Sequence, residues 1–190
     1  IEKFFGFLSS CKPDVVAIYS DHSAINKAGK VKSYVRPKEA MLEMHLLRNA
    51  VGNQVFAKTE TFCQLGGFDE CLPVWQDYEL WIRFLKMGAV IRAPFNNYVF
   101  DHSHDSERIT NAKKDKVEKA YHHIVAKHSL SGKELARFKI FASSYLNDLA
   151  FSNLKDVLKF RDFFGVFFVI RRAGVTIVKR LVGRRFRRFK

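Results

Sequence analysis

An α/β fold is what the 190-residue sequence predicts, and three observations predict it. β-branched runs, led by Val15-Val16-Ala17-Ile18-Tyr19, read as strands buried in a sheet. They alternate with helical patterns, the clearest beginning at Asp77, where Leu80, Trp81, Phe84 and Leu85 make a one-sided apolar stripe. After residue 110 the strand signals stop and helical patterns take over. Such an order gives a sheet with flanking helices, followed by a helical C-terminal region.

Ile1 to Leu8 has helical spacing, and Cys11-Lys12-Pro13-Asp14 breaks it. The strand Val15 to Tyr19 follows and is ended by Ser20-Asp21-His22. Asn26 to Lys30 is a turn into a second strand near Val31 to Val35. Pro37 to Leu47 reads as a helix with proline in its first turn, where the missing N–H is harmless. Asn49 to Lys58 is a loop and then a strand. Thr59 to Leu65 is a short helix, capped by Thr59 or Thr61 and ended by Gly66. The helix from Asp77 stops at Gly88, Ala89 to Arg92 is a short strand, and Asn96 to Asp101 is extended. Asn111 to His128 and Ser131 to Leu149 are helical, and Ser131 with Glu134 has the spacing of a capping box. His122, His123 and His128 read as surface residues.

The stretch that carries chemistry runs from Leu65 to Phe84. Gly66-Gly67 allows a sharp turn or a close approach of backbone to a ligand. Asp69, Glu70, Asp77 and Glu79 follow. Asp77 falls in the first turn of a helix anchored on its far side. The helix dipole favours a carboxylate there, and packing holds it rigid. A helix cap and a catalytic group both fit that position.

Gly66-Gly67-Phe68-Asp69-Glu70 followed by Gln76-Asp77-Tyr78-Glu79-Leu80-Trp81 resembles the inverting family 2 glycosyltransferases of the GT-A fold. Members carry Gly-Gly-Phe-Asp-Glu and then a Glu-Asp-Tyr-Glu-Leu-Trp-like segment; Gln76 departs from the second. The resemblance implies a partial GT-A mixed sheet over residues 1–110, the acceptor-side half of a nucleotide-sugar transferase domain. The nucleotide-binding half, with the family's Asp-x-Asp metal motif, would precede Ile1. It implies that Asp77 is the general base that deprotonates the acceptor hydroxyl. It places Gly66 and Gly67 against the acceptor, with Asp69 and Glu70 bonding sugar hydroxyls or capping the loop. Trp75 is the candidate for stacking on a sugar, while Trp81 reads as core. His102 or His104 would sit near the donor diphosphate and its divalent metal, Mg or Mn, whose main ligands are expected outside this chain. By spacing alone, His102-Ser103-His104 fits a polar loop as well as a pair of ligands. Asp21 reads as a polar strand-end residue rather than a metal ligand.

The formal net charge of +14 is unevenly placed. Residues 1–150 hold 21 Lys and Arg against 17 Asp and Glu, whereas residues 151–190 hold 12 against 2. The basic character therefore belongs to the tail. Phe163, Phe164, Phe167 and Phe168 precede Arg171 and Arg172, and Lys179, Arg180, Arg184 and Arg185 continue the cations. The apolar run is far short of the roughly 20 residues a spanning helix needs. A helical projection puts Phe163, Phe167 and Ile170 on one face and Arg161, Arg172, Lys179 and Arg180 on the other. Such a helix lies on an anionic membrane surface. Docking on the protein's own core competes with that reading. Nucleic acid is not expected as a partner, because the phenylalanines want burial.

Three Cys without paired spacing argue against a disulfide framework and for a reducing compartment. Three segments are expected: a transferase segment over residues 1–110, a helical extension over 111–150 and a basic amphipathic helix over 151–190. The expected function is sugar transfer, with inversion, from a nucleotide-diphosphate sugar to a glycan or lipid-linked acceptor in cell-surface polysaccharide synthesis. The expected place is cytoplasmic, peripheral on the inner face of the cell membrane. The chain alone is expected to be inactive or nearly so. The competing expectation is a non-catalytic membrane-surface module with a transferase-like shape.

Overall fold

A computed structural model describes residues 2–54, 56–101, 114–145 and 152–171. The chain divides into two compact units, Ile1–Ile124 and Val125–Lys190. The boundaries expected at 110 and 150 lie outside the described residues.

In the first unit, α1 (Glu2–Ser10) leads into β1 (Val15–Ile25), then β2 (Val31–Tyr34), β3 (Glu39–Ala40), α2 (Leu42–Leu47) and β4 (Phe56–Ala57). Next come α3 (Thr59–Gln64), α4 (Gln76–Met87) and β5 (Ala89–Asp101), and α5 (Lys114–His128) begins here. The five strands form one mixed sheet in the order β2-β1-β5-β3, with β4 also on β1. β1 runs parallel to β5 and antiparallel to β2 and β4, and β3 runs antiparallel to β5. The expected α/β architecture, a mixed sheet flanked by helices, is therefore present.

β1 is central because Ala17, Ile18, Tyr19 and Ser20 are buried. It does not stop at Ser20-Asp21-His22 but continues to Ile25. The polar residues stay in the sheet because each finds a partner. Ser20 Oγ donates to Gln54 Oε1, Asp21 pairs with Arg92, and the His22 ring stacks on Tyr34. β5 likewise joins the two pieces expected at 89–92 and 96–101. Ser20 pairs with Ala93 and Asp21 with Asn96, so Pro94 and Phe95 fall in a bulge. A proline without an N–H is tolerated there.

Pro37 does not start a helix. Glu39 and Ala40 instead pair with Ile91 and Val90 at the sheet edge, and the helix begins at Leu42. Edge pairing satisfies backbone that a helical first turn would have left open. α3 starts after Lys58 with no side-chain cap, so neither Thr59 nor Thr61 caps it.

α4 packs Leu80, Trp81 and Phe84 into a core with Ala17, Tyr19, Ala50, Val51 and Val90. It ends at Gly88, whose backbone is extended with φ −177°. Glycine is needed there for space: a Cβ would stand 2.6 Å from Val16 Cγ1 and 2.7 Å from the Asp14 carbonyl oxygen.

The second unit holds α6 (Gly132–Ser143), α7 (Ser152–Lys159) and α8, residues 163–171. Ser131 is the N-cap residue of α6 but makes no side-chain cap bond, so the capping box is not formed. Phe138, Ile140 and Phe141 supply the core of α6. Arg137 on α6 grips Asp162 through Nε–Oδ2 at 2.6 Å and Nη2–Oδ1 at 2.9 Å, both side chains buried. Those bonds hold the Asp162 carboxyl below its ordinary value. Gly165 of α8 lies so close that a Cβ would meet Val157 Cγ1 at 2.7 Å.

α8 divides along its length. Gly165 and Val169 are buried, while Phe163, Phe164, Phe167 and Ile170 are exposed, Phe163 to 82%. Phe168 is half-buried and Arg171 exposed. Core docking and an open apolar face thus coexist on opposite sides of one helix. Arg172, Lys179, Arg180, Arg184 and Arg185 lie outside the described residues. Among the described residues no helix is long and apolar enough to cross a membrane. All three cysteines are free.

Candidate functional site

The site is built on the N-terminal turn of α4 and the loop before it. α3 ends in two left-handed residues, Gly66 at φ +80° and Gly67 at φ +66°. Only glycine takes such a pair without steric cost. The reversal is then locked from α4. Arg83 Nη2 donates to the Gly67 carbonyl at 2.7 Å, and Nη1 donates to the Leu65 carbonyl. Glu79, fully buried one turn earlier, holds the same guanidinium, with Nη2–Oε2 at 2.7 Å. The Gly-Gly loop is therefore fastened to the helix that carries Asp77.

Leu72, Val74 and Trp75 are the buried residues of the rest of the loop. Gln76 Nε2 donates to the Leu72 carbonyl at 2.8 Å, which gives the residue departing from the family pattern a structural task. Trp75 is the N-cap of α4 in the left-handed region, φ 66° and ψ 25°. A bulky residue there stores strain, of order 1–3 kcal/mol, and such strain gathers at working sites. Only 8% of Trp75 is exposed. Its ring is thus packed into the loop base rather than offered as a stacking platform.

Asp77 stands in the first turn of α4, half-buried, with its own backbone N–H and that of Tyr78 beside its carboxylate. Among the described residues no cation forms an ion pair with it. Burial lifts its carboxyl above the ordinary value, and the two backbone N–H groups offset part of that rise. A carboxylate so placed is fixed, unneutralised and more basic than one in water, the properties asked of a general base.

Asp69 accepts from the Cys71 N–H at 3.0 Å and meets His123 Nε2 at 2.8 Å. It therefore caps the loop and ties it to α5, and His123 is more than the surface residue its sequence context suggests. Glu70 is exposed. His102 and His104 lie outside the described residues. Among the described residues no three His, Cys, Asp or Glu side chains converge to hold a metal ion. Asp21 is occupied by Arg92 at 3.0 Å, and it sits within β1 rather than at its end.

Trp81, one turn beyond Asp77, is core as expected and donates Nε1–H to the Gly52 carbonyl at 2.7 Å. That bond ties α4 to an open cleft lined by Ser20, His22, Arg36, Gly52, Gln54 and Tyr98, among others. Asp77 does not itself line the cleft. Sequence reasoning missed Arg83, whose signal is its i,i+4 spacing from Glu79. It also missed Arg36, for which the local sequence holds no signal.

No family model matches the chain. Over 98 residues it is 24% identical to an uncharacterized glycosyltransferase of Rickettsia bellii (strain RML369-C), which covers 47% of this chain. The match spans 14% of that protein's length. The likeness is distant and partial, and it points to a glycosyltransferase relationship in general terms.

Proposed function

We propose that this chain is the acceptor side of an inverting family 2 glycosyltransferase of the GT-A fold, with Asp77 as its general base. The observation that carries the reading is the Asp77 carboxylate: held by α4, free of a cationic partner among the described residues, and made more basic by burial. An acceptor hydroxyl would lose its proton to Asp77 as its oxygen attacks the anomeric carbon of a nucleotide-diphosphate sugar. The bond to the diphosphate oxygen breaks with its electron pair on the leaving group, and the single displacement inverts the centre. The Gly66-Gly67 backbone and exposed Glu70 would border the acceptor, while Trp75 and Asp69 shape the loop behind them. His102 or His104 would approach the donor diphosphate. The divalent cation implied by the resemblance would take its ligands from outside the described residues.

The exposed Phe163, Phe164, Phe167 and Ile170 favour a membrane-surface role for α8. They also support a second reading, a non-catalytic surface module with a transferase-like fold. The two readings separate in one experiment. The full-length protein carrying this chain is incubated with a panel of nucleotide-sugars, and the product anomer is read by NMR. Inversion is the expected outcome. Retention would remove the single-displacement mechanism, and no transfer to any acceptor would favour the binding module.

A further inference from the structure

The cleft beyond the Trp81–Gly52 bond holds an arginine that the Asp77 chemistry does not use. Arg36 Nη1 donates to the Asn49 carbonyl at 2.8 Å. Its Nε is buried and has no hydrogen-bond partner. Gly52 leaves room for the guanidinium, because a Cβ there would lie 2.9 Å from Arg36 Nη2. Among the described residues no carboxylate forms an ion pair with Arg36. Asp21 accepts the Arg36 backbone N–H at 2.7 Å, but its carboxylate is shared with Arg92 at 3.0 and 3.2 Å and it does not line the cleft.

Other donors face the same space. His22 lines the cleft beside Arg36, held by stacking on Tyr34 at 5.0 Å and edge contact with Phe100 at 5.8 Å. Gln54 has its Oε1 taken by Ser20 Oγ, which leaves its amide nitrogen to donate. A half-buried guanidinium on the wall of the cleft, with no carboxylate paired to it among the described residues and beside an imidazole and an amide, is a recognition set for an oxyanion.

We propose that this cleft binds a phosphate or carboxylate group through Arg36, His22 and Gln54. Resting on the transferase reading, the group belongs to an anionic acceptor, because Gly52 joins the cleft directly to the helix that carries the acceptor's base.

The test is an NMR and calorimetric titration of the 190-residue chain. The probes are inorganic phosphate, a hexose phosphate and a hexuronate, with a neutral hexose and chloride as controls. Saturable shifts of the His22 ring resonances are expected with phosphate or with hexuronate, and the arm that binds identifies the group. Arg36→Gln should weaken that binding at least about tenfold. Gln54→Ala, which spares the arginine, should weaken it less, and Asp77→Asn should leave it unchanged. Equal shifts with chloride or neutral hexose, or binding indifferent to both Arg36→Gln and Gln54→Ala, would overturn the site. If phosphate or hexuronate binds as expected while Asp77→Asn has no effect on transfer by the full-length protein, the oxyanion site stands and the transferase reading falls. If Asp77 proves essential and no anion binds, the site alone falls.

Discussion

At the scale of single residues, burial decides which groups are basic and which cannot ionise. Asp77 gains basicity from burial and loses part of it to two backbone N–H groups. His45 is the contrasting case. It is fully buried, its ring stacks on Tyr78 at 4.3 Å, and its Nε2–H donates to the Tyr78 carbonyl at 3.1 Å. Burial pulls its imidazole from 6.5 down to about 4. The unfolded chain therefore takes up that proton first as pH falls. The stabilisation is fully present above 6.5 and is lost as pH drops to about 4. The loss amounts to about 3 kcal/mol. His22, also lowered by burial, acts in the same direction, whereas Asp77, raised, opposes both. Urea unfolding across this window should show a falling midpoint, and His45→Phe should flatten the slope. An equal slope in the variant would assign the pH dependence elsewhere. The place of Asp77 in the first turn of α4 was legible from sequence because helix periodicity is a local property. His45 was not, because its burial comes from Tyr78, 33 residues away.

At the scale of elements, α4 and the glycine loop behave as one piece because Arg83 joins them. The guanidinium reaches Glu79, Leu65 and Gly67 together. Removing Arg83 takes the guanidinium away from the buried Glu79 carboxylate. Arg83→Met should cost about 3–5 kcal/mol. Thermal unfolding checks this, and a loss below about 1 kcal/mol would mean that the pair contributes no more than a surface contact. The existence of β1, β2, α3, α4 and β5 was readable from periodicity and from glycine. Their lengths were less so. Ser20-Asp21-His22 looks like a strand end until Arg92, Gln54 and Tyr34 supply partners from distant sequence. Pro37 looks like a helix start until Ile91 and Val90 capture Glu39 and Ala40. In both cases long-range pairing overrides a correct local preference.

At the scale of the whole chain, positive charge and an exposed apolar face meet in the tail. The tail carries most of the net positive charge, and α8, within it, leaves Phe163, Phe164 and Phe167 exposed. Co-sedimentation with anionic vesicles should retain the chain, and Phe163→Asp with Phe167→Asp should release it at moderate salt. Equal pelleting of both forms would count against surface docking by this face. The grouping of Phe163, Phe167 and Ile170 on one face of α8 was legible in advance, whereas Val169 and Gly165 turn its other side into the unit's own core and the cations expected there, Arg172, Lys179 and Arg180, lie outside the described residues. The oxyanion cleft was not, since Ser20, Arg36, Gln54 and Tyr98 meet only through the sheet. The central claim concerns one carboxylate, and its most direct test is sugar transfer by the full-length protein carrying Asp77→Asn, an isosteric change that removes only the base. Turnover should fall by about 10²–10⁴-fold, with cooperative unfolding retained and stability no lower than in the unaltered protein. Turnover within about twofold of the unaltered protein would contradict the assignment.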